Sequence, residues 1–126
     1  MWQILAVAAG GAVGCVSRLV ISEGIYAVLG RSFPYGILTV NIIGSLLMGF
    51  LATLIINKLE LGFIWRGAIL VGFLGGLTTF SSFSIDTVQL MQEGFWFKAG
   101  IYVLASVAFC LAATGIGIYV AERFVH

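Results

Sequence analysis

Charge is scarce in this sequence. Six basic and five acidic side chains amount to 9% of 126 residues, against about 25% in an ordinary soluble domain. Their balance of +1 excludes the basic stripe of a nucleic-acid-binding surface, and no nucleic-acid partner is indicated. Histidine occurs once, as His126, which leaves a Ser-His dyad, an HExxH zinc helix and a histidine phosphotransfer site without support. Walker A, GxGxxG and CxxC patterns are missing too, so the chain does not read as an enzyme. Cysteine is limited to Cys15 and Cys110; both sit inside apolar runs and read as small buried hydrophobes, not as a disulfide framework or half a zinc site. The amino terminus has no basic stretch ahead of its first apolar run, and no cleaved signal is expected.

What is abundant is apolar surface. Hydrophobic residues make up 61% of the chain and the mean hydropathy is +1.15, which points to lipid as the natural solvent. A bilayer core about 30 Å thick needs roughly 20 apolar residues in a helix, and four such runs occur. They predict a single four-helix transmembrane domain over residues 1–126, with helices at about 4–29, 37–57, 64–91 and 99–121. The only proline, Pro34, falls in the first connection. An even number of crossings sets Lys58, Arg66 and Arg123 against Arg31 and Lys98, with or without Arg18. That is no positive-inside bias, and it permits insertion both ways round and an antiparallel dimer of identical subunits.

Several residues break the lipid pattern. The third run reads GFLGGLTTFSSFS from Gly72 to Ser84, with a glycine pair and five hydroxyls in mid-membrane. Gly lowers the cost of unwinding, and Ser and Thr can satisfy freed backbone groups, so a break near residues 75–79 is expected. Carbonyls freed there could bind a cation; the alternative is a small-residue face for close helix packing. In the fourth run Tyr102, Ser106, Cys110 and Thr114 recur every four residues, giving one semi-polar helix face suited either to weak ion binding or to interhelical hydrogen bonds. Asn41, with Ser45 one turn later, must find partners in lipid and is either helix glue or part of a binding site. Phe80 and Phe83 project from neighbouring positions, where an aromatic edge could face an anion or simply pack. Arg18 is close enough to the end of its run to snorkel or to line a wet vestibule. Asp86 stands near the end of the third run. The pairs Gly10/Gly14, Gly72/Gly76 and Ser45/Gly49 suit close packing.

Taken together, these pieces resemble the small bacterial fluoride-channel family known as Fluc or CrcB. The resemblance is carried by Gly10-Gly11-x-x-Gly14 followed by Arg18, by Thr39-Val40-Asn41, by the string from Gly72 to Ser84 and by the polar-striped fourth helix. It implies an all-α integral membrane protein of the bacterial inner membrane, four helices per subunit with the third broken, assembled as an antiparallel dual-topology homodimer. It implies two pores passing fluoride passively outward, without ATP or proton coupling. By resemblance, Asn41, Phe80, Phe83, Tyr102, Ser106, Cys110 and Thr114 would lie along the fluoride path, and Arg18 and Asp86 in the vestibule. The backbone carbonyls of Gly75 and Thr78, from both subunits, would hold a structural Na⁺. The chain departs from the family pattern at Cys110, where a Ser is usual and the thiol donates more weakly, at Ile37 in place of Thr, and at Asp86 in place of a longer Glu. Two other classes compete. A small multidrug-type proton-coupled exporter would need a carboxylate in the middle of the first helix, where Arg18 is found instead. A non-transporting membrane assembly protein would use the polar residues only as glue.

Overall fold

In an apolar solvent every backbone polar group must be paired within its own segment, so long uncharged runs fold as helices. The computed structural model, which describes residues 1–125, is helical throughout its spans. In chain order these are α1 (Trp2–Leu29), α2 (Tyr35–Asn57), α3 (Phe63–Arg66), a π-helical stretch (Gly67–Leu74), α4 (Gly75–Leu77), α5 (Phe80–Gln92) and α6 (Trp96–Val125). α1, α2, the composite third span Phe63–Gln92 and α6 are each long and apolar enough to cross a membrane. His126, the single histidine, lies outside the described residues.

The spans outrun the uncharged runs at their ends. α6 takes in Trp96 and Lys98 at its start and Glu122 and Arg123 at its end, because interfacial aromatic and charged side chains continue a helix into the headgroup layer. The connections shrink accordingly to residues 30–34, 58–62 and 93–95. Two of them turn on glycines at positive φ, Gly30 at 82° and Gly94 at 85°, a conformation that costs other residues more. Lysines tie both ends. Lys58 donates to the Phe124 carbonyl at 2.8 Å and Lys98 to the Ser32 carbonyl at 3.2 Å.

Association in lipid depends on close packing, because lipid tails solvate Leu as well as a protein core does. α1 lies along the first half of the third span, with their glycines interleaved. A side chain at Gly10 would collide with the Ala68 carbonyl, at Gly14 with the Phe73 carbonyl, and at Gly76 with the Gly11 carbonyl 2.8 Å away. α2 lies along α6 in the same manner, Gly49 on the Thr114 carbonyl and Gly117 on the Leu46 carbonyl. The glycine pairs of the sequence therefore face each other's backbones. Large side chains such as Val16, Leu19, Phe97 and Leu104 point outward, the arrangement lipid solvation favours.

Cys15 overturns one expectation: it is exposed on the subunit surface, and Cys110 is only partly buried. Apolar character in a membrane chain does not predict burial in protein, since the exterior is apolar as well. The π-helical stretch is also unforeseen. Its hydrogen bonds skip one residue more than those of an α-helix, a rare geometry, and composition alone gives no mark of it.

Helical geometry stops at Leu77 and resumes at Phe80. Thr78 (φ −92°, ψ 157°) and Thr79 (φ −154°, ψ 120°) are extended, so two residues of non-helical backbone lie inside the third span, at one wall of the site described next.

Candidate functional site

Extended backbone at membrane depth needs partners from elsewhere, and Asn41 of α2 supplies them. Its Oδ1 accepts from the Thr79 N–H at 2.8 Å, and its Nδ2 donates to the Thr79 carbonyl at 3.2 Å. One side-chain amide thus satisfies both polar groups of the Thr79 residue. The Thr79 hydroxyl in turn caps α5, accepting from the Ser82 N–H at 3.1 Å, as N-cap threonines do. Thr78 folds its hydroxyl back onto the Leu74 carbonyl at 3.0 Å. Because the Thr79 N–H is drawn to Asn41, the Gly75 carbonyl loses the donor that an unbroken helix would give it. Gly75 is exposed, and a side chain placed there would touch nothing within 4 Å.

Beside this clamp lies a cavity of about 400 Å³. α2 contributes Asn41, Gly44, Ser45 and Met48; the extended pair contributes Thr78 and Thr79; α5 contributes Phe80 and Phe83; α6 contributes Ser106, Val107, Cys110, Leu111 and Thr114. Residues as far as 73 positions apart in the chain are thereby gathered from four segments. Among the described residues no charged side chain lines the cavity.

The Phe80 and Phe83 rings are 5.3 Å apart and tilted, and Phe83 lies 5.1 Å from the Tyr102 ring. Phe80 is 78% exposed within the subunit, so the cavity is open on that side. Thr114 donates its hydroxyl proton to the Ser45 carbonyl at 3.1 Å, joining α6 to α2. Ser106 is buried, and its Oγ is the one buried side-chain oxygen or nitrogen among the described residues without a hydrogen-bond partner. An unpaired buried hydroxyl costs about 1–3 kcal/mol, and such a group at a cavity wall calls for a ligand or a water.

Tyr102 does not line the cavity. It is fully buried one turn beyond Ser106, its ring packed between Phe83 and Phe33, and its hydroxyl donates to Asp86 Oδ2 at 3.3 Å. The remaining two residues named with a vestibule are not brought together. Asp86 borders a second, smaller cavity with Tyr26 and Arg31, whereas Arg18 is partly exposed on α1, its guanidinium 3.9 Å from the Cys15 sulfur. Ser45 and Thr79 are the polar wall residues that sequence reasoning left off its site. Ser45 carried a usable signal, one helical turn after Asn41; Thr79 was one of five hydroxyls with nothing to single it out. Among the described residues no three His, Cys, Asp or Glu side chains cluster as for a metal.

The described residues of the wall therefore offer the free Ser106 hydroxyl, one unused amide hydrogen on Asn41, a thiol and aromatic rings, with no carboxylate among them. Such a set can hold a small anion by hydrogen bonds without fixing it to a counter-charge.

Comparison with known proteins covers most of the chain. A model of the family described as CrcB-like protein, Camphor Resistance (CrcB), matches residues 5–118. A protein of Geobacter sulfurreducens named fluoride-specific ion channel FluC is 46% identical over 129 aligned residues, covering 98% of this chain and 99% of that one. One of the same name from Photobacterium profundum is 53% identical over 111 residues, 88% of this chain and 87% of its own. A third, from Methylococcus capsulatus, is 48% identical over 121 residues, 96% of this chain. The chain spans about half the length of that last relative, 53% of it.

Proposed function

We propose, since this chain belongs to the CrcB-like family, that it is a fluoride-selective passive channel exporting the ion across a bacterial inner membrane. The observation that carries the reading is the unpartnered Ser106 hydroxyl on the wall of a cavity lined by Asn41, Phe80, Phe83 and Thr114 and free of charge. A carboxylate able to exchange protons for an organic cation is missing from that wall, which weighs against a proton-coupled exporter.

Fluoride would be passed along α6 past the Cys110 thiol to the free Ser106 hydroxyl, between Thr114 and Tyr102, whose hydroxyl protons rest on the Ser45 carbonyl and on Asp86, with the Phe80 and Phe83 edges and the free Asn41 hydrogen opposite. Weak, repeated donors suit conduction, because each site must release what it binds. Cys110 is the weakest donor of the series. A single subunit leaves Phe80 uncovered, and an antiparallel homodimer would close the cavity and provide two pores. A structural Na⁺ fits the chemistry of the exposed Gly75 carbonyl, freed from its helical donor, together with that of Thr78. Two carbonyls from each subunit would hold it, the ion serving as a positive charge for their negative dipole ends where the two interrupted spans meet.

The direct test is halide efflux from liposomes under a potassium gradient with valinomycin, followed with fluoride and chloride electrodes. Fluoride release without chloride release is expected; movement of neither halide from vesicles holding folded protein would overturn the reading. Dimer assembly is tested separately by Gly75→Val. The added side chain meets nothing inside the subunit, so the fold should survive while the dimer is lost on gel filtration. A normal dimer with unaltered response to Na⁺ would remove the central cation site.

A further inference from the structure

A third cavity, a groove of about 430 Å³ between α1 and the start of the third span, is almost wholly apolar. We propose that it seats one acyl chain of an anionic phospholipid, with the lipid phosphate held by Arg66. Nothing in this site depends on ion conduction.

The groove forms where small residues meet. Ala6, Ala9 and Gly10 of α1 share it with Ala68 of the π-helical stretch, and none of them is large enough to fill it. Along α1 it extends from Ala6 to Val13, about 10 Å at 1.5 Å per residue. That is a third of the roughly 30 Å core of a bilayer. A partner helix crossing the membrane would need a groove of the full depth, whereas a lipid chain enters from one surface. Trp65 marks the surface end: it lines the groove, is exposed, and lies two residues inside the start of the span, where tryptophan anchors a helix at headgroup level. A second copy of the chain has its place elsewhere. Ile69 and Phe73 line the groove, while Val71 and Gly75, each two positions further on, are exposed on what helical geometry makes nearly the opposite side. Gly75 is where the proposed dimer meets.

Charge selects the headgroup. Among the described residues, the cationic side chains at this end of the molecule are Lys58, Arg66 and Arg123. Lys58 is engaged on the Phe124 carbonyl and Arg123 on the Tyr119 hydroxyl. Arg66, exposed and next to Trp65, has no side-chain hydrogen bond and no ion pair among those residues, neither with Glu60 nor with Glu122. A guanidinium matches phosphate through paired N–H donors. A zwitterionic lipid brings the same phosphate with a cation attached, which Arg66 repels; an anionic lipid does not.

The test uses full-length protein carrying Trp2→Phe and Trp96→Phe, which leaves Trp65 as the only tryptophan, in zwitterionic vesicles holding a minor fraction of lipid brominated along its chains. Bromine in contact with tryptophan quenches its fluorescence. Brominated phosphatidylglycerol is expected to quench Trp65 with about fivefold higher apparent affinity than brominated phosphatidylcholine. Arg66→Gln should bring the two lipids level, and Arg66→Lys should keep most of the difference. Ala9→Leu fills the groove while leaving Arg66 in place, and should bring quenching by the anionic lipid down to that by the zwitterionic one. Both positions are exposed, so neither change disturbs the packing of the subunit. Equal quenching by the two lipids before any change at Arg66 or Ala9 means ordinary boundary lipid and overturns the proposal. A preference that survives Arg66→Gln or Ala9→Leu overturns it as well. Trp65 shielded from both lipids would put a second copy or another protein chain in the groove, with the same consequence.

Discussion

Phe83→Ile is expected to bring fluoride efflux down to the level of protein-free vesicles while leaving a folded protein that elutes like the native one. The ring occupies the junction of the proposed path, 5.3 Å from Phe80 on the cavity side and 5.1 Å from Tyr102 beyond it. An isoleucine fills much of the volume but presents no positively polarised ring edge and cannot continue the aromatic file. The stability cost is about 1–3 kcal/mol for the two lost ring pairings. Phe80→Ile should abolish flux in the same way at still lower structural cost, because that ring is largely outside the subunit's packing. The measurement is efflux per folded protein, counted from the gel-filtration peak. Undiminished fluoride release from either purified variant would remove the role assigned to that ring.

Asn41→Leu should fail at the level of the fold. Asn41 satisfies the N–H and the carbonyl of Thr79 together, and leucine would strand both at membrane depth. At about 1–3 kcal/mol for each unpaired group, the loss amounts to about 2–6 kcal/mol, a large fraction of the stability of a small domain. Thermal unfolding followed by loss of the gel-filtration peak should show a midpoint well below the native one. Asn41→Asp separates the two duties of the residue. It keeps the acceptor for the Thr79 N–H, so it should unfold at a higher temperature than Asn41→Leu, but its charge would repel an anion from the proposed path and flux should still be lost. An Asn41→Leu protein that melts like the native one would show that water or another side chain can take over the clamp.

These two residues differ in how legible they were. Asn41 stood out in the sequence as a lone amide in an uncharged run, with the demand for partners stated by its chemistry; which partner, 38 positions away, was not. The phenylalanines carried no physical signal beyond their spacing, because an aromatic pair in an apolar run packs against lipid as readily as against an ion. Only the cavity on which both rings border distinguishes the two uses. Tyr102 shows the opposite case. Its four-residue spacing to Ser106 placed it on the same helix face as Ser106, Cys110 and Thr114, but in the structure it is walled off between Phe83 and Phe33 with its hydroxyl on Asp86. Periodicity fixes an azimuth on a helix; it does not say where the neighbouring helix ends.

What followed from the sequence by itself is the part that depends on solvent and on local chain geometry. Residue hydropathy against the thickness of a bilayer gives four spans, and an amide or a glycine pair in mid-run announces irregular backbone or close packing without reference to any other segment. What the tertiary structure decided is everything that depends on pairs. It set Gly10 and Gly14 against Ala68 and Phe73; it put the interrupted backbone at Thr78 and Thr79, within reach of Asn41. It also left Cys15 outside and Ser106 without a partner at a cavity wall. Lipid solvates the outside of such a chain as readily as the chain packs within itself. Apolar character therefore cannot tell inside from outside, and only the contacts between helices can.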